Sequence, residues 1–250
     1  MAPLNKKNPY HLKAIIFDCD GTLVDSEPFH FSSWQEALYK QGYSLDKNFY
    51  MKQFSGVSDT EICKIVINFL GFDCSEEVLK DKNQLFALYQ KKGIAPIQPT
   101  VDFVKQLFKE KEKYGFKLAV ASGARKEDIL QHLNHLQIRH CFDAILSGRD
   151  DLSEYQDAEG TNKPKPYIYL KTANVLGFKP QECIAIEDSK TGIFSARDAG
   201  CMTIAIPNSY TKEQDLSQAH IKIDSFAFLS VEDFLNTMKS LNTHVTDESI

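Results

Sequence analysis

Two carboxylates stand two residues apart in Asp18-Cys19-Asp20-Gly21-Thr22, directly after the apolar run Lys13-Ala14-Ile15-Ile16-Phe17. A short apolar run bounded by turn residues reads as a buried strand of a parallel sheet. Held together where such a strand ends, two acids repel each other and each loses hydration. A cation between them offsets both costs. The pair therefore points to a divalent metal with a nucleophile beside it.

The rest of the chain supplies the elements that would position such a site. Strand-like runs recur after residue 100, each following a helical stretch. Phe116–Ala121 follows Thr100–Lys113, Phe142–Ser147 follows Lys126–Leu136, Cys183–Glu187 follows Tyr167–Leu176, and Met202–Ile206 follows Thr191–Ala199; a short run, Ile221–Asp224, comes last. This alternation predicts βα units and an α/β fold: a Rossmann-like parallel sheet with helices on both faces and right-handed connections. Between 27 and 95 the apolar residues fall instead at helical spacing (Phe29, Trp34, Leu38; Ile62, Ile65, Val66, Phe69; Val78, Leu85, Leu88). That stretch predicts a small all-helical insertion, which returns through the proline-stiffened Ala95-Pro96-Ile97-Gln98-Pro99. The expected division is a core of 1–26 and 96–250 and a helical lid of 27–95, with a polar, frayed tail at 241–250.

Ligands of open α/β sheets bind beyond the carboxyl ends of the strands. Four groups fall at such ends: Asp18 with Asp20, Ser122, Lys163, and Glu187 with Asp188. Phe17–Glu27 (FDCDGTLVDSE), Val120–Ala124 (VASGA), Lys163–Leu170 (KPKPYIYL) and Glu187–Gly200 (EDSKTGIFSARDAG) resemble the four motifs of the haloacid dehalogenase-like phosphatase superfamily. The likeness spans nearly the whole chain and is nearest to the β-phosphoglucomutase-like and sugar-phosphatase branch, whose small α-helical cap the insertion resembles.

The resemblance implies roles that phosphoryl transfer requires: an in-line nucleophile, charge neutralisation and a proton for the leaving group. Asp18 is the implied nucleophile, forming an aspartyl-phosphate. Asp20 is the acid and then the base, and its backbone carbonyl also meets the metal. Ser122, with the Gly123 backbone, would hold phosphoryl oxygens; the alternative is an ordinary cap for the following helix. Lys163 would supply a compact positive charge, with Lys165 as its rival. Asp188 is an oxygen ligand suited to Mg²⁺, with Glu187 beside or behind it, or else a helix cap. In the insertion, His30 and Trp34 share one helical face. Lys82 and Asn83 stand where that branch has a substrate-contacting lysine and asparagine, against the plain alternative of a solvated helix face. Arg125 could reach a second anionic group, and Gly56 lies in the segment that aligns with the substrate-selecting loop.

Two departures bear on the reaction. Mutase members carry a lysine and an arginine at the positions of Ser55 and Asp59, and an acid at 59 would repel a distal phosphate. Net hydrolysis is therefore expected over isomerisation, with a phosphomutase and a non-catalytic phosphometabolite-binding protein as the alternatives. The acidic stretch Arg149–Asn162 is longer than usual and is expected to be a flexible, solvated excursion.

A net charge of −5 offers no footprint for nucleic acid or an anionic membrane. No apolar stretch approaches the roughly 20 residues of a membrane span, and Met1–Lys13 has no signal-peptide run. The cysteines at 19, 63, 74, 141, 183 and 201 lack metal-ligand spacing and read as small core residues in a reducing cytoplasm. The expected partner is a small phosphorylated metabolite, a sugar or polyol phosphate, bound with Mg²⁺ by a monomer.

Overall fold

The computed structural model describes residues 12–71, 74, 76–91 and 93–246. The expectations for the first eleven residues and the last four lie outside the described residues. β1 (Ala14–Phe17) leads into α1 (Glu27–Tyr39), α2 (Lys47–Gln53), α3 (Asp59–Ile65, continued by a π-turn at Val66–Leu70) and α4 (Glu76–Gln90). Then follow α5 (Gln98–Tyr114), β2 (Lys117–Ser122), α6 (Lys126–His135), β3 (Ala144–Ser147), α7 (Tyr167–Leu176), β4 (Cys183–Glu187), α8 (Lys190–Asp198), β5 (Met202–Ala205), β6 (Ile221–Lys222) and α9 (Val231–Thr246). The strands form one parallel sheet in the order β3-β2-β1-β4-β5-β6. β1 lies between β2 and β4, with Phe17 opposite both Val120 and Ile186. The chain thus runs outward from β1 to β3 and then returns to the other side of β1. A crevice opens at the carboxyl end of the strand where the winding reverses.

The period of two along the strands divides the core. Ile15, Phe17, Leu118, Val120, Ile184 and Ile186 meet Phe103 and Leu107 of α5, Ile129 and Leu133 of α6, and Phe234 of α9. Ala14, Ile16, Ala119, Ala121, Cys183 and Ala185 face Ile168, Tyr169 and Ala173 of α7 and Ala196 of α8. The second face is mostly alanine, which lets α7 and α8 sit close to the strands and brings Tyr169 under the carboxyl ends.

The helical segment has its own core of Trp34, Leu38, Tyr50, Phe54, Ile62, Val66 and Val78, joined by Tyr210 from the loop after β5. Asp46 caps α2 by accepting from the backbone of Asn48 and Phe49, at 2.9 and 3.0 Å. The entry and exit of the segment are tied together by backbone hydrogen bonds from Asp25 to Ala95 and from Ile97 to Leu23, both 2.9 Å.

Three expectations are corrected. Cys63 and Cys74 are joined by a disulfide, because α3 and the chain just before α4 bring their Cα atoms to 5.1 Å; Cys19, Cys141, Cys183 and Cys201 are buried free thiols. The polar tail is helical as far as Thr246, as a continuation of α9. The acidic stretch after β3 is fastened rather than merely solvated. Asp150 accepts from the Lys126 backbone at 2.6 Å, Asp151 from the Ser147 backbone at 2.7 Å, Asp157 from the Tyr167 hydroxyl at 2.9 Å, and Glu154 pairs with Lys171. No helix among the described residues is long and apolar enough to cross a membrane.

The tight packing on the alanine face is testable. Ala185→Leu, at a fully buried position, should cost about 1–3 kcal/mol in denaturant unfolding through overpacking. An unchanged midpoint would mean that the face has room to spare.

Candidate active site

Asp18 is the first residue beyond β1, and its backbone N–H is bonded to the Ile186 carbonyl at 2.9 Å. Lys163 Nζ lies 2.6 Å from Asp18 Oδ1, 2.6 Å from Glu187 Oε1 and 3.1 Å from the Ala121 carbonyl. One ammonium therefore joins the ends of β1, β2 and β4. The Tyr169 hydroxyl donates to the same Glu187 oxygen at 2.6 Å. Lys165 is engaged elsewhere, with Glu159 at 2.6 Å and Asp157 at 3.3 Å. Asp188 accepts from Asn208 Nδ2 at 2.8 Å and from the Thr22 hydroxyl at 3.4 Å.

Carboxylate oxygens of Asp18, Glu187 and Asp188 lie within 4.8 Å of one another, and all three residues are buried. Three acids thus share one lysine. Burial, aided by Glu187 and Asp20 and opposed by Lys163, pushes the Asp18 carboxyl up to about 8. Burial, with Asp18 and Glu187 adding to it, also holds Asp188 well above the usual carboxylate range. Burial works against the Lys163 charge, but Asp18 and Glu187 outweigh it and raise its pKa. Acids that resist ionising together would be relieved by a cation among them, and hard oxygen donors suit Mg²⁺. The backbone makes room for close approach: at Gly21 (φ +80°) a Cβ would collide with Asp188 Oδ2, and φ in that range suits glycine.

Asp20 is held by two hydroxyls, Ser26 Oγ at 2.7 Å and Ser122 Oγ at 3.4 Å. Ser122 and Asp188 do not cap the helices that follow them. The N-cap of α6 is Arg125, and that of α8 is Ser189, whose side chain accepts from Gly192 N. Ser122 and Gly123 line the cleft.

The cleft, of about 540 Å³, lies between the carboxyl ends of the strands and the helical segment. Asp18, Asp20, His30, Trp34, Gly56, Asn83, Ser122, Lys163 and Asp188 all line it. His30 stacks on Phe86 with ring centroids 4.0 Å apart. Burial and then the Lys82 charge lower its pKa to about 4, so its imidazole is neutral at pH 7. Gly56 (φ +72°) turns its carbonyl to accept from the Thr191 hydroxyl.

Lys82 is not on a solvated helix face. It is 2 % exposed, 2.6 Å from Asp59, and sits over the Trp34 and Phe86 rings at 5.6 and 5.4 Å. Asp59 also receives Arg149 at 3.2 Å. Burial opposes the Asp59 charge, yet Lys82 and Arg149 hold its carboxyl below the usual range. The acid at 59 is therefore ionised but flanked by two cations, which removes the bare repulsion expected from sequence. Arg125 lies outside the main cleft, in a side chamber of about 140 Å³ that also touches His30, Lys82 and Arg149.

Sequence reasoning missed four residues. Glu27 lines the cleft, buried, and accepts from the Tyr50 hydroxyl at 2.8 Å; its place as the last residue of the first motif was an available signal. Ser26 precedes it in the same motif. Arg149 stands two residues past the end of β3, a strand end to which sequence reasoning had assigned only Lys163. Asn208 lies in a loop with no pattern to mark it.

A model of haloacid dehalogenase-like hydrolases matches residues 15–206. The phosphorylated carbohydrates phosphatase of Thermotoga maritima is 26% identical over 92% of this chain and all of its own length. The fructose-1-phosphate phosphatase YqaB of Escherichia coli is 30% identical over 74% of this chain and 92% of its own. The crystal structure of a CbbY variant from Rhodobacter sphaeroides, in complex with xylulose-1,5-bisphosphate, superposes with a TM-score of 0.72 at 26% identity, covering 89% of this chain and 98% of that one.

Glu27 gives a pH signature. Burial, opposed by the Tyr50 hydrogen bond, raises its carboxyl from 4.5 to about 7. A raised folded-state pKa contributes stability that is complete below the unfolded value and is lost as pH rises through the folded one. Glu27→Gln still accepts from Tyr50 but cannot ionise. Urea unfolding should show the variant gaining about 2–3 kcal/mol on the parent between pH 5 and pH 8. A pH-independent difference would refute the protonated buried acid.

Proposed function

The chain belongs to the haloacid dehalogenase-like hydrolase family and is a phosphoric monoester hydrolase, and on that premise we propose a Mg²⁺-dependent phosphatase for small phosphorylated carbohydrates that works through an aspartyl-phosphate. The observation that carries the reading is the joining of Asp18 and Glu187 by Lys163 at 2.6 Å to each, with Asp20 held two residues on beside the cleft. The phosphatase relatives named above support a carbohydrate leaving group.

Asp18, Asp188 and the Asp20 backbone carbonyl would hold Mg²⁺, with Glu187 oriented behind them by Lys163 and Tyr169. The bound cation offsets the charge on the phosphoryl oxygens so that one anion can approach another. Asp18 then attacks phosphorus in line: an Oδ–P bond forms as the ester P–O bond breaks, and Asp20 gives its proton to the departing alkoxide. In the second half, Asp20 takes a proton from the water that attacks the same phosphorus. The Oδ–P bond breaks and inorganic phosphate leaves. Lys163 favours the ionised nucleophile and Ser122 can turn its hydroxyl to a phosphoryl oxygen.

Residues 27–95 act in this reading as a cap on a core of 1–26 and 96–250. Trp34 offers an apolar wall, while Asn83, Asp59 and neutral His30 offer polar contacts for hydroxyls, the mixed lining expected of a carbohydrate site. Asp18→Asn should lower phosphate release from a panel of sugar phosphates by several orders of magnitude with an unchanged circular dichroism spectrum. Chelation should abolish parent activity and added Mg²⁺ restore it. A variant near the parent rate would overturn the nucleophile.

The pair of cations beside Asp59 favours a second reading, a phosphomutase or bisphosphate phosphatase, since Lys82 and Arg149 could hold a distal phosphate. The CbbY complex with a sugar bisphosphate supports it. Under this reading, β-glucose 1-phosphate with a trace of bisphosphate gives glucose 6-phosphate faster than free phosphate, or a bisphosphate is hydrolysed in preference to monophosphates. Arg149→Ala should then raise the KM for the bisphosphate about tenfold or more, through loss of a charged hydrogen bond, while the KM for a monophosphate holds. Equal effects on both substrates would exclude a distal phosphate at Arg149.

A further inference from the structure

The steps above give no work to Asn208, yet both ends of its side-chain amide are committed. Nδ2 donates to Asp188 Oδ2 at 2.8 Å and to the Gly21 carbonyl at 3.1 Å. Oδ1 accepts from the backbone of Tyr210 at 2.8 Å and of Thr211 at 3.2 Å. With two backbone donors at one end and two acceptors at the other, only one orientation of the amide satisfies the network. The Thr211 hydroxyl closes the turn by accepting from the Asn208 N–H at 3.0 Å. Asp188 is buried, and its other side-chain donor is the longer Thr22 contact at 3.4 Å. A buried carboxylate with so little support would turn from its like-charged neighbours. The Cβ that Gly21 lacks would strike both Asp188 and Asn208, so the three groups interlock.

The same loop meets the helical segment. The Tyr210 ring lies edge-on to Tyr50 at 6.0 Å, and Gln214 donates to the Ser55 carbonyl at 3.0 Å.

We infer that Asn208 is a positioning residue for the cation site: it fixes the Asp188 carboxylate beside Asp18 and locks the Gly21 turn to it, so that divalent-cation affinity depends on a loop outside the four motifs. This rests on the Mg²⁺ reading given under Proposed function. Residues that orient a metal ligand typically change affinity about 10–100-fold when removed.

The test is calorimetric titration of substrate-free protein with Mg²⁺ alone. In Asn208→Ser the hydroxyl can still accept from the turn N–H groups, more weakly, but is too short to reach Asp188. The dissociation constant should rise about tenfold or more, the Mg²⁺ concentration for half-maximal activity should rise in parallel, and kcat at saturating Mg²⁺ should stay near the parent value. Equal affinity in parent and variant overturns the inference and leaves the phosphatase reading intact. A parent that binds no Mg²⁺ overturns both. Should the variant fold poorly, the Asn208 side-chain amide protons of the isotope-labelled parent decide: slow exchange with solvent is expected, and exchange at the free-amide rate refutes the clamp.

Discussion

Asp18, Glu187 and Asp188 are buried together around one ammonium, and the folded mouth of the sheet is built to sustain that charge. Taking carboxylates out of water costs several kcal/mol each unless partners replace the lost hydration. Lys163 supplies one partner from the loop before α7, Tyr169 a second from the first turn of that helix, and Asn208 a third from beyond β5. None of these would align on a loose scaffold. β1 is hydrogen-bonded on both edges, and its neighbours run one or two residues past it, so the acids emerge from the middle of the sheet. The alanine-rich face beneath lets α7 approach and sets the Tyr169 hydroxyl against Glu187. The three carboxylates together form a group that could hold a divalent cation.

At the opposite wall the balance is reversed. Lys82 and Arg149 flank Asp59, and the Lys82 charge, with burial, keeps His30 neutral. The cleft therefore runs from an acidic floor at the sheet to a wall where Asp59 is held between Arg149 of a core loop and Lys82 of α4. A molecule with a phosphoryl group at one end and hydroxyls or a second anion at the other matches that polarity. The buried Lys82–Asp59 pair also fixes α3 against α4, and the Cys63–Cys74 disulfide ties α3 to the chain just before α4.

Much of this was legible because strands buried on both faces leave unbroken apolar runs. Each such run gave a strand within two residues of the expected limits. The groups at their ends then had only one place to go, the crevice beside β1. What escaped was pairing across distance. Asp59 and Arg149 are 90 residues apart, and nothing in either segment announces the other. An acid in place of an arginine looked repulsive only because its two partners lay on α4 and on a core loop. The helix-cap alternatives fall away for a local reason: Ser122 and Asp188 stand near helix starts, but the turns place Arg125 and Ser189 at the cap positions. Asn208 lies in a polar loop where any amide would look alike.

The contacts between helical segment and core come from loops after strands that carry the chemistry. Arg149, after β3, meets Asp59; Thr191, after β4, meets Gly56; Tyr210 and Gln214, after β5, meet Tyr50 and Ser55. Enclosing the cleft and shaping its floor are therefore tasks of the same backbone. A bulky side chain at Gly56 would strike Ser189 and lift the segment from the residue that caps α8, next to Asp188. A displacement of residues 55–59 would therefore be felt by the loops that flank Asp188, since the contacts that hold the segment to the core come from those loops.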